Sequence, residues 1–521
     1  LIKYIIKIDY MSLKTKILDC TLRDGGYYTN WDFDKELTNS YFKLIKSLPI
    51  EIIEIGYRGN TSKKNTYFGE YYFLTISNLK RIKSIIGNKK KISIMIDLKD
   101  WRSESDLKKN LSKCIGVVDI VRFAVAPNKL IEFKGFLKVA KSLGFKVCVN
   151  LMYSHVILKN SGLIERVIKL KKFFDVLYIV DSYGTLITGD VENIIKKIKK
   201  INDKIPIGFH AHNNLEMALA NSIEAIKNNV DYLDCTITGM GRGAGNLKTE
   251  LLITYLNLKK KIMKIKDYKN IAKVVDKFEE MKVKEKWGTS LPYMISGSTQ
   301  SPQAEAMQLI KSKRYNLGDI ISYVIRKRNR NIVIKKTLPF KRNTILVVGG
   351  GFSVKKNLNY IKEFLKQNPN VYIIYAGSRN FDLFDDIKNQ SILCITGNEI
   401  NKIKKKNLVT QNFLVNDIVD NRTILPSNLK KFFRLKKNQI EKDISNSLLS
   451  ISLSGSLELN GKNIFLVGFD GYNHTNKIND YSLNSENQKI INFYKKKLNL
   501  IFLTDTIYEN VEKNSIFQYL D

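Results

Sequence analysis

The sequence predicts two domains: a (β/α)8 TIM barrel over residues 14–310 and a Rossmann-like α/β domain over residues 343–521, joined by a helical, basic segment at 311–342. Three observations carry this. A chain of 521 residues is longer than one hydrophobic core usually serves. Short β-branched runs alternate with amphipathic stretches of helical period through the first half, the pattern of βα units. A fresh series of strand-like runs then begins at TILVVGGG (344–351), after the densest basic run, RKRNRNIVIKK (326–336).

In order, the strand-like runs are KILDC (16–20), IEIIEIG (50–56), KISIMID (91–97), VVDIVRF (117–123), FKVCVN (145–150), DVLYIVD (175–181), IPIGFH (205–210) and VDYLDCT (230–236). Amphipathic stretches such as LEMALANSIEAIKNN (215–229) separate them. Eight regular units favour closure into a barrel over an open doubly wound sheet. Residues 257–340 read as further helices. The loop KEKWGTSLPYMISGS (284–298), with Trp287, Pro292 and Tyr293, is expected to pack over or beside the barrel. In the second domain TILVVGGG is a buried strand ending in glycines, followed by the helical run NLNYIKEFLKQ (357–367). VYIIYAG (371–377), SILCITGN (391–398) and NIFLVGFDGY (463–472) are further strands.

A hydrophobic content of 44% with 10% aromatic residues describes an ordinary globular protein. The formal charge of +37 points at first to nucleic acid or an anionic membrane. Lys, Asn and Ile are abundant together, however, and the lysines are scattered over helical faces, as in KKIKK (196–200) and the KKK runs at 404–406 and 495–497. AT-rich coding and solvated helix faces explain this better, so no nucleic-acid partner is expected. A basic surface would still attract phosphorylated or nucleotide-linked substrates. Cys20, Cys114, Cys148, Cys235 and Cys394 form no CxxC pair and read as free thiols of a reducing cytoplasm. No apolar run reaches 18 residues, so no membrane span is expected. LIKYIIKIDY (1–10) lacks a signal-peptide cleavage site and reads as an upstream extension before Met11. A cytoplasmic homo-oligomer is expected.

The active site of such a barrel lies where strands end. Polar residues collect there: Arg23 and Asp24 after strand one, Glu54 and Arg58 at strand two, Asp97, Arg122, Asn150 and Asp181 at strands three to six, and Asn246 after strand eight. Strand seven ends in FHAHNN (209–214), which holds two of the chain's four histidines, His210 and His212. Residues i and i+2 of a strand point the same way, so both imidazoles can aim at one point. A carboxylate would complete a two-histidine, one-carboxylate metal site, and Asp24 is the best placed.

DCTLRDGGYYTNWDF (19–33), HAHNNLEMALANS (210–222) and DCTITGMGRGAGNLKTE (234–250) together resemble the DRE-TIM metallolyase superfamily, which includes 4-hydroxy-2-oxovalerate aldolases, HMG-CoA lyases and isopropylmalate synthases. IEIGYRG (53–59) and DSYGT (181–185) are similar to the 4-hydroxy-2-oxovalerate aldolase branch. The resemblance implies that Asp24, His210 and His212 bind a divalent cation, Mn²⁺ or Mg²⁺ first, with Zn²⁺, Co²⁺ or Fe²⁺ as alternatives. It implies Asn246 as a further ligand or a contact to the metal's water, and Arg23 as the group that steadies an enolate. The substrates implied are a pyruvate-like 2-oxo acid and an aldehyde.

Related aldolases carry a histidine three residues after the metal-binding aspartate; this chain has Tyr27 there. Tyr27 is a candidate to replace that histidine in proton transfer, with substrate binding or no role as the alternatives, and Tyr28, His155 and Tyr293 are other candidates for the base. Glu54 is a further catalytic candidate. Arg58, Arg122, Asn150 and Asp181 are expected either to bind substrate or to form an ion-pair layer closing the barrel end.

VVGGGFS (347–353) is a candidate phosphate cradle at a helix N-terminus. With GKNIFLVGFDGYNH (461–474) and LTDTIY (503–508) it is similar to Rossmann-like domains of bacterial surface-glycan enzymes, of sialyltransferase-like and motility-accessory glycosyltransferase-like kinds. This implies a nucleotide-linked sugar near Gly349, Gly351, Ser353 and Asp470. The function expected is therefore a metal-dependent aldolase in surface-polysaccharide precursor synthesis. The alternatives are acyl-CoA Claisen chemistry, or a non-catalytic barrel carrying a nucleotide-sugar-binding domain.

Overall fold

The computed structural model describes residues 14–60, 68–261, 263–312, 317–325, 334, 336–403, 411–419, 423, 425, 431–441, 444–472 and 478–520. The start of the chain to residue 13, most of the basic run at 326–336 and the lysines at 404–406 lie outside the described residues. The chain divides into two compact units, Leu1–Ile325 and Arg326–Asp521.

The first unit is a closed barrel of eight parallel strands in sequential order. They are β1 (Lys16–Asp19), β2 (Ile52–Tyr57), β3 (Lys91–Ile96), β4 (Ile120–Val125), β5 (Lys146–Leu151), β6 (Val176–Asp181), β7 (Ile207–Ala211) and β8 (Tyr232–Cys235). All eight fall on the expected runs. Closure follows from β1 pairing with both β2 and β8. Each strand is buried on both faces, which is why it reads as an apolar run rather than an alternating one.

The two-residue period sorts each strand into an outer and an inner row. Outer residues such as Ile17, Ile53, Val121 and Val147 join the main apolar cluster with the surrounding helices. Inner residues fill the barrel in layers. Leu18, Ile52, Ile120, Cys148 and Tyr232 form an apolar floor. Two residues further along their strands stand Glu54, Arg122, Asn150 and Asp234, all buried. On β7 the same step leads from Gly208 to His210. A Cβ on Gly208 would lie 2.5 Å from the Tyr178 ring, so glycine there is what admits that ring to the floor.

Helix Leu317–Ile325 belongs with the barrel unit. It packs on Leu291–Ser298 through Tyr293, Ile320 and Val324, although 311–342 was expected to be the connecting segment. All five cysteines are buried free thiols. No helix among the described residues is long and apolar enough to cross a membrane.

The second unit holds a separate eight-stranded parallel sheet: β9 (Thr344–Val348), β10 (Tyr372–Tyr375), β11 (Ser391–Cys394), β12 (Asn412–Val415), β13 (Phe432–Arg434), β14 (Asn463–Val467), β15 (Asn499–Phe502) and β16 (Glu512–Lys513). Its order is β13-β12-β11-β10-β9-β14-β15-β16, so the winding reverses between β9 and β14. Leu346, Val348, Ile373 and Val467 feed one apolar cluster, and Ile345, Val347, Ile374 and Leu466 feed another. Both sheet faces are therefore covered.

Candidate functional site

A cavity of about 130 Å³ opens at the carboxyl ends of the barrel strands. Its wall includes Arg23, Asp24, Tyr27, Tyr57, Asn150, His210, His212 and Arg242. The charged part is built from β1 outward. Asp19 closes that strand and is fully buried. Its carboxylate accepts hydrogen bonds from Thr21 N, Thr21 Oγ1, Tyr41 Oη and Thr249 Oγ1. This fixes the start of helix Thr21–Thr29, whose first turn carries Arg23 and Asp24.

The histidines arrive as the two-residue period requires. His210 lies in β7, and His212 continues the extended backbone through a bridge to Asn246. Nδ1 of His212 lies 2.8 Å from the Asp181 carbonyl oxygen. A carbonyl only accepts, so Nδ1 carries the proton and Nε2 keeps its lone pair. Nδ1 of His210 lies 2.9 Å from Asp234 Oδ2, and Nε2 lies 3.6 Å from Asp24 Oδ2. Outer partners of this kind orient metal-binding imidazoles. Ligand atoms of Asp24, His210 and His212 all lie within 4.8 Å of one another.

Charge states suit the same purpose. Burial opposes the charge on Asp24, but Arg23 and the two histidines outweigh it and hold the carboxyl below the usual carboxylate range. Burial, reinforced by His210, lowers His212 to about 4, so its imidazole is neutral at neutral pH. Asn246 Nδ2 donates to Asp24 Oδ2, while its Oδ1 is buried without a partner. One neutral amide oxygen, one carboxylate and two imidazoles form a donor set that fits a divalent cation.

Cys20, His210 and Asp234 make a second triad at similar spacing. Neither Cys20 nor Asp234 lines the cavity. Burial pushes the Cys20 thiol well up, and Asp234 is already paired with Arg122. The Asp24 cluster is the better ion site.

Beneath the cavity lies a buried charge layer. Arg23 Nε is 2.7 Å from Glu54 Oε2, and its Nη1 is 2.8 Å from Asp24 Oδ1. Arg122 is fully buried. It donates to Asn150 Oδ1 at 3.1 Å, to Glu54 Oε2 at 3.2 Å and to Asp234 Oδ2, and its guanidinium lies over the Tyr178 ring. Of the expected substrate contacts, only Asn150 reaches the cavity wall. Arg122 sits one layer too deep. Asp181 stands in the outer row after Val180, and its carboxylate turns back to Thr185 N and Leu186 N. Arg58 points to the Leu74 carbonyl.

The register of β2 explains Arg58. A bulge between Glu54 and Tyr57 breaks the two-residue alternation. Tyr57 therefore enters the cavity wall, where its hydroxyl lies 3.1 Å from that of Tyr27. Tyr293 is 2% exposed and packs with Ala306 and Leu309, away from the wall. Residues that sequence reasoning passed over are Tyr57, Asp234, Gln303 and Arg242. Arg242 had a legible signal: it is the one charged residue inside the glycine-rich loop 239–246.

His155, a candidate proton acceptor, does not line the cavity. Its ring lies 5.2 Å from that of Tyr183, and Nδ1 is buried without a partner. Burial, then Lys159, lowers its pKa below the ordinary value of 6.5. The unfolded chain thus takes up this proton first as pH falls. The stability His155 contributes is present above about pH 6.5 and declines below it. His155→Gln should flatten that part of a plot of urea midpoint against pH from 7.5 to 5. An unchanged slope would remove His155 from the acid sensitivity.

In the second unit, Asp470 accepts from Ser353 N at 2.8 Å and from Ser353 Oγ. A Cβ on Gly351 would lie 2.5 Å from that carboxylate. Helix Ser353–Lys356 has only four residues. The expected phosphate cradle is thus filled by the chain's own Asp470, and Gly349 gives its carbonyl to Asn380.

Comparisons with known proteins meet this geometry in the barrel. A 4-hydroxy-2-oxovalerate aldolase of Carboxydothermus hydrogenoformans is 30% identical over 251 residues, covering 47% of this chain and 71% of that protein. An oxaloacetate decarboxylase of Mycobacterium tuberculosis is 28% identical over 244 residues, covering 46% and 69%. The crystal structure of the N-terminal domain of a candidate aldolase from Bacteroides vulgatus is 40% identical, with a TM-score of 0.54. It covers 59% of this chain and 99% of that one. The profile described as HMGL-like matches residues 14–277, and the chain belongs to the HMGL-like family of aldolases and lyases.

Proposed function

We propose that the barrel is a divalent-metal-dependent aldolase that makes or breaks a carbon–carbon bond between a pyruvate-like 2-oxo acid and an aldehyde. The observation that carries this reading is the convergence of Asp24, His210 and His212 at the wall of a small cavity. Asp24, His210 and His212 would hold the metal, with Asn246 Oδ1 beside them. When bound, the metal supplies Lewis-acid polarisation of the 2-oxo acid's carbonyl.

The chain's own residues account for the rest. Arg23 brings a permanently charged guanidinium, locked by Asp24 and Glu54, to the place where negative charge develops. Glu54 acts through Arg23 and Arg122, being fully buried and off the wall. Asn150 offers the wall a side-chain amide held by Arg122. Tyr27 carries the proton to and from the methyl carbon or the aldehyde oxygen, and Tyr57 passes it on through the paired hydroxyls.

Methyl-proton exchange of pyruvate in deuterated water, followed by NMR, tests the reading. Exchange is expected with Mn²⁺, lost on chelation, and restored by added Mn²⁺. Tyr27→Phe should slow it about 100-fold or more, the usual size of a lost acid–base group. Metal-independent exchange, or none at all, would contradict the reading.

The sheet of the second unit reverses its winding between β9 and β14, which supports a Rossmann-like reading with a ligand crevice at that point. A wider role in nucleotide-linked or surface-polysaccharide precursor synthesis rests on sequence resemblance alone.

A further inference from the structure

Three arginines stand in or just below the cavity, and two have carboxylate partners. Arg23 is paired with Asp24 and Glu54, and Arg122 with Glu54 and Asp234. Arg242 lines the cavity, yet among the described residues no carboxylate comes within ion-pair distance of it. Its neighbour is the Tyr27 ring, with the guanidinium carbon 3.9 Å from the ring centroid. An unpaired charge held in a cavity wall is costly, unless a ligand brings the opposite charge.

The loop around Arg242 is built to hold it still. Gly243 has φ +63, and its carbonyl accepts from Tyr28 Oη at 3.2 Å and Gly288 N at 3.1 Å. Ala244 N donates to Gln303 Oε1 at 3.1 Å. A Cβ on Gly241 would lie 2.4 Å from Asn246 Nδ2, so the loop also packs directly on the ion site. With one face covered by Tyr27, the guanidinium has its N–H edge left to offer. That edge matches the two oxygens of a carboxylate or phosphate.

We propose that Arg242 anchors an anionic group, a carboxylate or a phosphate, on the acceptor aldehyde, so that the enzyme selects a charged aldehyde over a neutral one. This rests on the aldolase reading. There the metal held by Asp24, His210 and His212 would take the 2-oxo acid beside Arg23, which leaves Arg242 for the second substrate.

The test has two arms, both on the full chain. In the first, metal-free protein is titrated calorimetrically with succinic semialdehyde, glycolaldehyde phosphate and propanal. At least one anionic aldehyde should bind tenfold or more tightly than propanal, and the tighter of the two names the anion. Arg242→Gln should bring that ratio to within about twofold, and Arg242→Lys should recover part of it; circular dichroism melts check that both variants fold. In the second arm, aldol formation from pyruvate is followed with Mn²⁺ and the preferred aldehyde. The Arg242→Gln rise in KM should be at least tenfold larger for the aldehyde than for pyruvate. Equal binding of charged and neutral aldehydes by the wild type would overturn the proposal. So would a rise falling mainly on pyruvate, which would make Arg242 the donor's anchor. Absence of pyruvate methyl exchange in the wild type would count against the aldolase reading, while the titration still reads Arg242 directly.

Discussion

Asp24→Asn should leave the barrel folded and remove its metal. The change is nearly isosteric, but it deletes the only carboxylate in the cluster of Asp24, His210 and His212. It also puts a neutral amide where Asn246 Nδ2 and Arg23 Nη1 now meet negative charge. Removing an outer partner of a metal ligand costs up to about 100-fold in affinity. Removing the charged ligand itself should cost at least that much. Mn²⁺ titration by electron paramagnetic resonance measures the loss directly, and pyruvate exchange should fall in parallel. An Asp24→Asn variant that binds Mn²⁺ like the wild type would move the ion site elsewhere.

The largest effect on stability is expected at Arg122. Its side chain is fully buried and binds Glu54, Asp234 and Asn150. Arg122→Met keeps much of the volume but strands Asp234 in the barrel interior without a guanidinium, while Glu54 keeps Arg23. Breaking a buried ion pair from one side costs about 3–5 kcal/mol, because the remaining charge has no partner. The barrel's calorimetric transition should fall accordingly. Adding Asp234→Asn should recover much of the loss, since the stranded charge is then gone. Asp234 also holds Nδ1 of His210, so the single variant should weaken Mn²⁺ binding as well. A loss below about 1 kcal/mol would mean that the layer does not hold its charges in the way described.

What was legible in the sequence follows from which interactions are local. Strands buried on both faces write themselves as apolar runs, so all eight were visible. The paired histidines were visible because the two-residue period sets their direction without help from the fold. Depth was not visible. Both Arg122 and Asn150 point into the barrel, but the register pairs Arg122 with Cys148, so Asn150 stands one inward step higher and reaches the wall while Arg122 binds a carboxylate 112 residues away in the chain. Direction failed where the alternation breaks: the bulge in β2 turns Arg58 outward and admits Tyr57. Asp470 shows the same limit in the second unit. The glycine turn has the composition of an anion cradle, but its occupant comes from a loop 117 residues on.

One divalent ion is expected among Asp24, His210 and His212. Anomalous diffraction at the manganese edge, from crystals grown with Mn²⁺ and pyruvate, tests it most directly. A single strong peak is expected in the barrel, within about 2.0–2.3 Å of an Asp24 carboxylate oxygen and of Nε2 on both histidines. A peak at Cys20, His210 and Asp234 instead, or no peak at the barrel mouth with manganese bound elsewhere, would contradict it.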